Sequence, residues 1–256
     1  MNWRLIDTGE LDGFSNMAFD EALLESFDPE KSLPVLRLYG WNPPAFSIGR
    51  YQKAEEVLDL EKCRANHIPV VRRITGGGAI YHTQELTYSL VCTQKHLPGS
   101  LNVKESYKKI SFFLIMAYRS LGLDASYALE NKNNTEMKLG VKTPFCFAGK
   151  EEYDIVIQGK KIGGNAQKRS RITIFQHGSV PYRQNLDYSS SFLLTPLSPE
   201  EKESTDLFSQ TGILSPEDFK QKILSAFSEN LSISLIETEL SSNEKALYEK
   251  ILNEKK

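Results

Sequence analysis

Cys146 stands in TPFCFAGKEEYDI (143–155), bracketed by Pro144 and Gly149. That bracket predicts a loop beside a sheet, where a thiol is a better nucleophile candidate than one inside a regular element. An ordinary small buried side chain fits the same position. Cys63 falls in a predicted helix and Cys92 at the end of an apolar strand, both settings for buried, inert thiols. A reactive thiol needs a cation or a helix end to lower its pKa. The candidate cation is Lys161 in GKKIGGNAQKR (159–169), next to Lys160 and ahead of Gly163 and Gly164. Neighbouring strand residues point to opposite faces, so at most one of the two lysines faces a pocket. Asn165 and Gln167, two apart, share a face and carry amides for hydrogen bonding. A basic hairpin in solvent is the competing reading.

The second chemical segment is VVRRITGGGAIYH (70–82). Gly76, Gly77 and Gly78 follow a strand and let backbone approach a ligand, turning N–H groups toward an anion or carbonyl. Arg72 and Arg73 precede them and suit a phosphate. The loop is neither a P-loop nor a dinucleotide fingerprint, having no GK[ST] ending and no GxGxxG. A tight glycine turn between strands fits it too. His82 closes the loop, and His177 returns in QHGS (176–179). Each suits a base or a buried ring bonded to its neighbours.

Composition removes several classes of chemistry. The four histidines form no HExxH pattern and the three cysteines no CxxC pair, so neither a metal site nor a disulfide framework is expected. Lys+Arg 31 against Asp+Glu 33 gives a net charge of -2, which argues against nucleic-acid binding by bulk electrostatics. No apolar run reaches membrane-spanning length, and the polar, acidic start MNWRLIDTGELDGF lacks the features of a secretory signal, so a cytoplasmic protein is expected. The chain has 256 residues, 40% hydrophobic and 25% charged, enough to bury one sizeable core.

The elements that must position these residues are legible in part. SNMAFDEALLESF (15–27) predicts a helix capped by Ser15, with Phe19, Ala22, Leu23 and Phe27 on one face. VLRLYG (35–40), PVVRR (69–73), LTYSLV (86–91), YDIVIQ (153–158), 160–168, RITIFQHGSV (171–180) and SISLIE (232–237) read as strands. WNPPAFSIGRYQ (41–52) excludes a regular helix, and 54–66 predicts a short one. Residues 103–121 predict a strong helix ended by Gly122. Ser215 and Pro216 open a helix over 215–227, and Ser241 with Glu244 forms a capping box before a last one. Residues 183–214 read as a long surface connection. Helices and strands interleave without a strict βαβ rhythm, which predicts an α/β (α+β) fold with a mixed sheet covered by helices.

Three segments in this order are more specific than any one alone. NMAFDEALL (16–24), RRITGGGAIYHTQELTYSL (72–90) and GKKIGGNAQKRSRITIFQHGS (159–179) resemble the superfamily of lipoate/octanoate-protein ligases and octanoyl transferases, and more distantly biotin-protein ligases. The resemblance covers about residues 3–252 and implies one catalytic domain over 1–256, with a mixed, largely antiparallel sheet and a tunnel for a medium-length acyl chain. It places Arg72, Thr75, Gly76, Gly77, Gly78, His82, Gly163, Asn165, Gln167 and His177 around substrate. Lys161 matches the family's lysine, which contacts the acyl-adenylate in ligases and polarises the acyl carbonyl in transferases; Lys160 then points away. PFCF (144–147) and Tyr153-Asp154-Ile155 look like the cysteine segment of LipM-type octanoyl transferases, with Cys146 and Lys161 catalytic. The helix–strand–helix ending (215–252) also resembles the transferases. Gly78 departs from them, since many carry arginine there, and TGGGA (75–79) resembles the ligase loop.

The transferase reading implies no cofactor. It takes octanoyl-acyl carrier protein as donor and a lipoyl-carrier protein, such as glycine-cleavage H protein, as acceptor. His82, His177 or a relay through Lys161 then serves as base, and a monomer suits a site that must admit a carrier domain. The alternatives are an ATP- and Mg-dependent lipoate- or octanoate-protein ligase, an amidotransferase using the same cysteine, and a non-catalytic acyl- or carrier-binding module.

Overall fold

The segment Val35–Trp41 (VLRLYGW) is buried along its whole length because it is paired on both edges and covered on both faces. Around it, the computed structural model describes residues 1–99, 102–130, 151–198, 203–212 and 215–255. Cys146 and the rest of 143–149 lie outside the described residues.

The chain runs β1 (Asn2–Leu11), α1 (Gly13–Ser26), β2 (Val35–Trp41), β3 (Ala45–Ile48), α2 (Ala54–Val57), α3 (Leu60–Ala65), β4 (Val70–Arg72), β5 (Ile80–His82) and β6 (Glu85–Thr93). It continues α4 (Val103–Arg119), β7 (Ala125–Tyr127), β8 (Ile155–Ile157), β9 (Lys160–Ile162), β10 (Gly164–Arg169), β11 (Thr173–Pro181) and α5 (Leu186–Ser190). It ends β12 (Ser204–Thr205), α6 (Leu207–Thr211), α7 (Pro216–Leu231), β13 (Ser234–Glu237) and α8 (Ser242–Lys255).

The main sheet has the order β10-β11-β6-β2-β1-β13. β13 and β2 flank β1 in parallel; β2–β6, β6–β11 and β11–β10 are antiparallel, so the fold is α/β with a mixed sheet, as the interleaved pattern predicts. Two smaller sheets, β12-β9-β8-β7 and β4-β3-β5, flank it. One face of the main sheet packs on α4 and α7, through Tyr88, Phe113, Phe219 and Phe227. The other carries α1, with α8 outside it, through Phe19, Leu23, Val35, Phe175 and Ile251.

Local chemistry accounts for the helix ends. Asn102 and Glu105 cap α4 reciprocally, at 2.9 and 2.8 Å. Ser215 accepts from the Asp218 N–H, with Pro216 in the first turn of α7. Ser241 and Glu244 form the expected box on α8.

Strands β1 and β3 were not expected, and three expectations change. The polar N-terminal stretch is strand β1, anchored by Trp3, Leu5 and Ile6. Asp12, not Ser15, caps α1: its carboxylate accepts from the Ser15 N–H at 3.0 Å and the Ser15 hydroxyl at 2.6 Å. The short strand β3 fits between Pro44 and Gly49, and the single helix over 54–66 is two, because Asp59 caps α3 and Leu58 bridges to Leu193. The described part of 183–214 holds α5, β12 and α6 rather than bare connection.

Candidate active site

Strand register brings the polar residues of three strands onto the α1 face of the main sheet. His177 lies opposite Ser89, which lies opposite Arg37; Ser179, Thr87 and Tyr39 form the adjacent row. A buried carboxylate from α1 organises this face. Asp20 accepts from Arg37 Nη1 at 2.8 Å, Ser89 Oγ at 2.6 Å and Tyr39 Oη at 2.9 Å. Arg37 also donates to the Asn16 carbonyl and amide oxygens and to Thr8, and its guanidinium lies 3.9 Å from the Tyr39 ring centroid. The buried ions are thus multiply bonded, the condition under which burial is tolerated. Burial and the neighbouring Asp20 push the Tyr39 hydroxyl well above its ordinary pKa, so it remains a donor.

The glycine loop is built around an arginine. Arg73 is 3% exposed and donates to the Gly78 carbonyl at 2.8 Å and the Gly76 carbonyl at 3.4 Å. Its other terminal nitrogen donates to the Ser47 carbonyl and hydroxyl, at 2.8 and 2.7 Å. Carbonyls of the loop therefore turn inward onto a protein cation. Arg72, its neighbour, faces the other way and donates to the carbonyls of Gly49, Arg50 and Gln52. The loop is seated on β3: Arg50 N–H donates to Thr75 O at 2.8 Å, and a Cβ at Gly49 would stand 2.0 Å from Gly77 O.

His82 is held on three sides. Its ring stacks on Trp41 at 3.8 Å, Nδ1 meets Glu85 Oε1 at 2.8 Å and Nε2 meets Ser47 Oγ at 2.5 Å. A carboxylate only accepts, so Nδ1 carries the proton. Ser47 then accepts from Arg73 and donates to Nε2. Glu85 also accepts from the hydroxyls of Thr87 and Ser179. This Ser–His–Glu order matches a hydrolytic triad in outline. Ser47, however, is fully buried, and one of its two lone pairs is taken by Arg73, so it is a bridge between His82 and Arg73 rather than a nucleophile. His177 bonds Thr75 through Nε2 at 2.7 Å. Burial first, then Arg73 and His82, push its pKa well below the ordinary histidine value, which keeps the ring neutral.

These groups wall a narrow slot. Met17, Tyr39, Trp41, Arg73, Gly76, Gly77, Ile80, His82 and His177 line it, with Gly164–Ala166 of β10 along one side. Its volume is about 40 Å³, space for a few water molecules. An octanoyl chain enters only if lining side chains move.

Of the residues singled out from sequence, Thr75, Gly76, Gly77, Gly78, His82 and His177 thus meet around Arg73. Arg72 does not join them, and Arg73 takes the inward place; strand alternation between the two is the signal that separates them. Asn165 lines the slot edge, but its amide and that of Gln167 lie on the α4 face. There Gln167 donates to Gln176, Gln176 to Tyr88 Oη, and Tyr88 to Asn165 Oδ1, at 2.8–2.9 Å. Gly163 carries φ +74°, and a Cβ there would lie 2.1 Å from Ser179 O, so only glycine lets β9 pass so close to β11.

Lys161 is buried on β9 and pairs with Asp154 at 2.7 Å, while Lys160 is exposed, as the alternation predicts. Lys161 is outside the slot wall. Asp154 also accepts from the Glu151 N–H. Cys63 and Cys92 are buried; burial raises the Cys63 thiol and pushes Cys92 up to about 12, as expected for inert thiols. Among the described residues no cluster of His, Cys, Asp and Glu could hold a metal ion, and no helix is long and apolar enough to cross a membrane.

Comparison with known proteins agrees with this architecture. The lipoyl protein ligase A/B catalytic domain matches residues 12–228. Octanoyltransferase LipM of Halalkalibacterium halodurans is 34% identical over 265 residues, 99% of this chain and 95% of that protein. The corresponding protein of Anoxybacillus flavithermus is 42% identical over 181 residues, 70% of this chain and 64% of its own length. Among solved structures, lipoate-protein ligase A bound with ATP superposes with TM-score 0.81 at 25% identity, covering 99% of this chain and 95% of that one. A putative lipoate protein ligase from T. acidophilum with bound lipoic acid gives TM-score 0.80 at 26% identity, covering 99% and 96%. The chain belongs to the lipoyl protein ligase A/B catalytic-domain family.

Proposed function

We propose that the protein transfers an octanoyl group from octanoyl-acyl carrier protein, through a thioester on Cys146, to a lysine of a lipoyl-carrier protein. The observation that carries the reading is its 34% identity to an octanoyltransferase across 99% of the chain. The sequence PFCF supplies the thiol that a ligase does not need. In the first step the Cys146 thiolate attacks the thioester carbonyl. A new S–C bond forms, the donor S–C bond breaks and the carrier leaves as a thiol after taking a proton. In the second step a neutral lysine amine attacks the acyl-enzyme, an amide forms, and Cys146 departs as thiolate while the amine proton passes to a base. Lys161, held by Asp154, is the charge assigned to the developing oxyanion. The slot takes the acyl chain, and Arg73 holds the glycine loop that closes over it. The two ring nitrogens of His82 are both engaged, and His177 is a weak base by its lowered pKa, so each serves as an organiser of the slot.

The acceptor is a lipoyl-carrier domain; a related bi-partite ligase is known with its E2 lipoyl domain. The fold shared with an ATP-bound ligase supports a second reading, an ATP-dependent ligase making an acyl-AMP. Octanoate- or lipoate-dependent ATP–pyrophosphate exchange tests it. The transferase reading expects no exchange, and octanoyl transfer from the carrier-protein thioester in the absence of ATP and Mg²⁺.

A further inference from the structure

Next to the slot lies a much larger hollow of about 510 Å³. Its floor is apolar, with Phe14, Ile48, Leu60, Ile68 and Val71, and Arg64, Arg72 and Lys255, the last paired with Glu21, stand on its wall. One residue, Met17 on α1, belongs to the walls of both spaces. Met17 is 3% exposed and packs in a single cluster with Tyr39 and Trp41, which face the slot, and with Val71 and Phe14, which face the hollow. An unbranched thioether is the side chain best able to fill such a gap and to be displaced from it.

We propose that Met17 is a specificity-determining partition, setting the length of acyl chain the slot accepts by closing it off from the apolar hollow behind. The inference rests on the reading of the slot as the acyl site. Once other lining side chains have moved to admit octanoyl, a longer acyl chain meets the Met17 side chain. With Met17 shortened, the two spaces join, and added methylenes leave water for an apolar floor. Each methylene buried in this way favours the longer donor by about fourfold.

The test is competition between octanoyl- and dodecanoyl-acyl carrier protein, read as the ratio of their kcat/KM values. Met17→Ala raises the dodecanoyl-to-octanoyl ratio at least tenfold, and Met17→Val, which removes less of the core, raises it in the same direction if the alanine variant does not fold. Met17→Phe shifts preference toward hexanoyl. Adding Ala54→Trp, another residue lining the hollow, to Met17→Ala fills that space and returns the ratio toward wild type, an outcome that a merely loosened core does not produce. Ile80→Trp, on the slot wall alone, reports on the underlying reading by suppressing octanoyl transfer. Suppression by Ile80→Trp with an unchanged chain-length ratio in the Met17 variants overturns the partition. Undiminished octanoyl transfer by Ile80→Trp overturns the acyl-slot reading and the partition with it.

Discussion

Lys161 and Asp154 meet at 2.7 Å with both side chains buried, a pair that is costly to leave half-made. Asp154→Ala is expected to destabilise the protein by about 3–5 kcal/mol, because it removes the carboxylate that pairs with a buried ammonium. The double variant Lys161→Met, Asp154→Leu recovers much of that loss in denaturant unfolding while remaining inactive. Recovery of activity along with stability would show that the pair is scaffolding only. At Glu85 one carboxylate collects His82, Thr87 and Ser179, so Glu85→Gln leaves at least one donor mismatched. The expected result is a fall in transfer with a change in Trp41 fluorescence, since His82 stacks on that indole. At this scale the sequence announced residue types but not partners. His82, His177 and Lys161 stood out, whereas Ser47, Asp20 and Arg37 did not, because their partners lie more than a dozen residues away, and Glu85 did not, because it reaches His82 only through the turn between β5 and β6. Arg72 stood in the motif, and only the alternation of β4 into the loop shows that Arg73 turns inward.

Elements carry the site through close approach. The passage from β9 into β10 depends on Gly163, and the seat of the glycine loop on Gly49, where any Cβ meets a carbonyl at about 2 Å. Gly163→Ala combines that clash with a left-handed backbone, so it is expected to lower the melting temperature and abolish transfer, while Gly9→Ala, in open space on β1, leaves transfer unchanged despite its own positive φ. Equal effects of the two on transfer would contradict this account. The helices with strong stripes and caps, α4, α7 and α8, were legible because periodicity and capping chemistry agree there. Strand β1 was hidden since only Trp3, Leu5 and Ile6 are buried along a mostly polar segment, and its partners β2 and β13 lie distant in sequence. β3 was hidden by the prolines and glycine that flank it.

The whole molecule joins these elements through buried ionisable groups, and its stability should follow pH accordingly. His177 has a folded pKa well below 6.5, so the unfolded chain binds the extra proton and stability is lost as pH falls from about 6.5. His96, lowered by burial and by Lys95, adds to the same window. Glu244 follows at lower pH: burial alone would raise its carboxyl, but bonds from Arg4 and Ser241 outweigh this and lower it below 4.5. Its contribution, which ties α8 to β1, is full above that value and disappears as pH falls through the lowered one. Thermal unfolding is expected to be flat between about pH 7 and 8 and to weaken below about 6.5, with a smaller loss in His177→Gln. An unchanged slope in that variant would remove His177 from the account. The central claim concerns chemistry, and its most direct measurement is intact mass after mixing with octanoyl-acyl carrier protein without ATP. The wild-type protein is expected to gain one octanoyl group that an added lipoyl-carrier protein removes, and Cys146→Ala to gain none. No adduct on either protein, with octanoate-dependent ATP–pyrophosphate exchange, would contradict the transferase and establish the ligase.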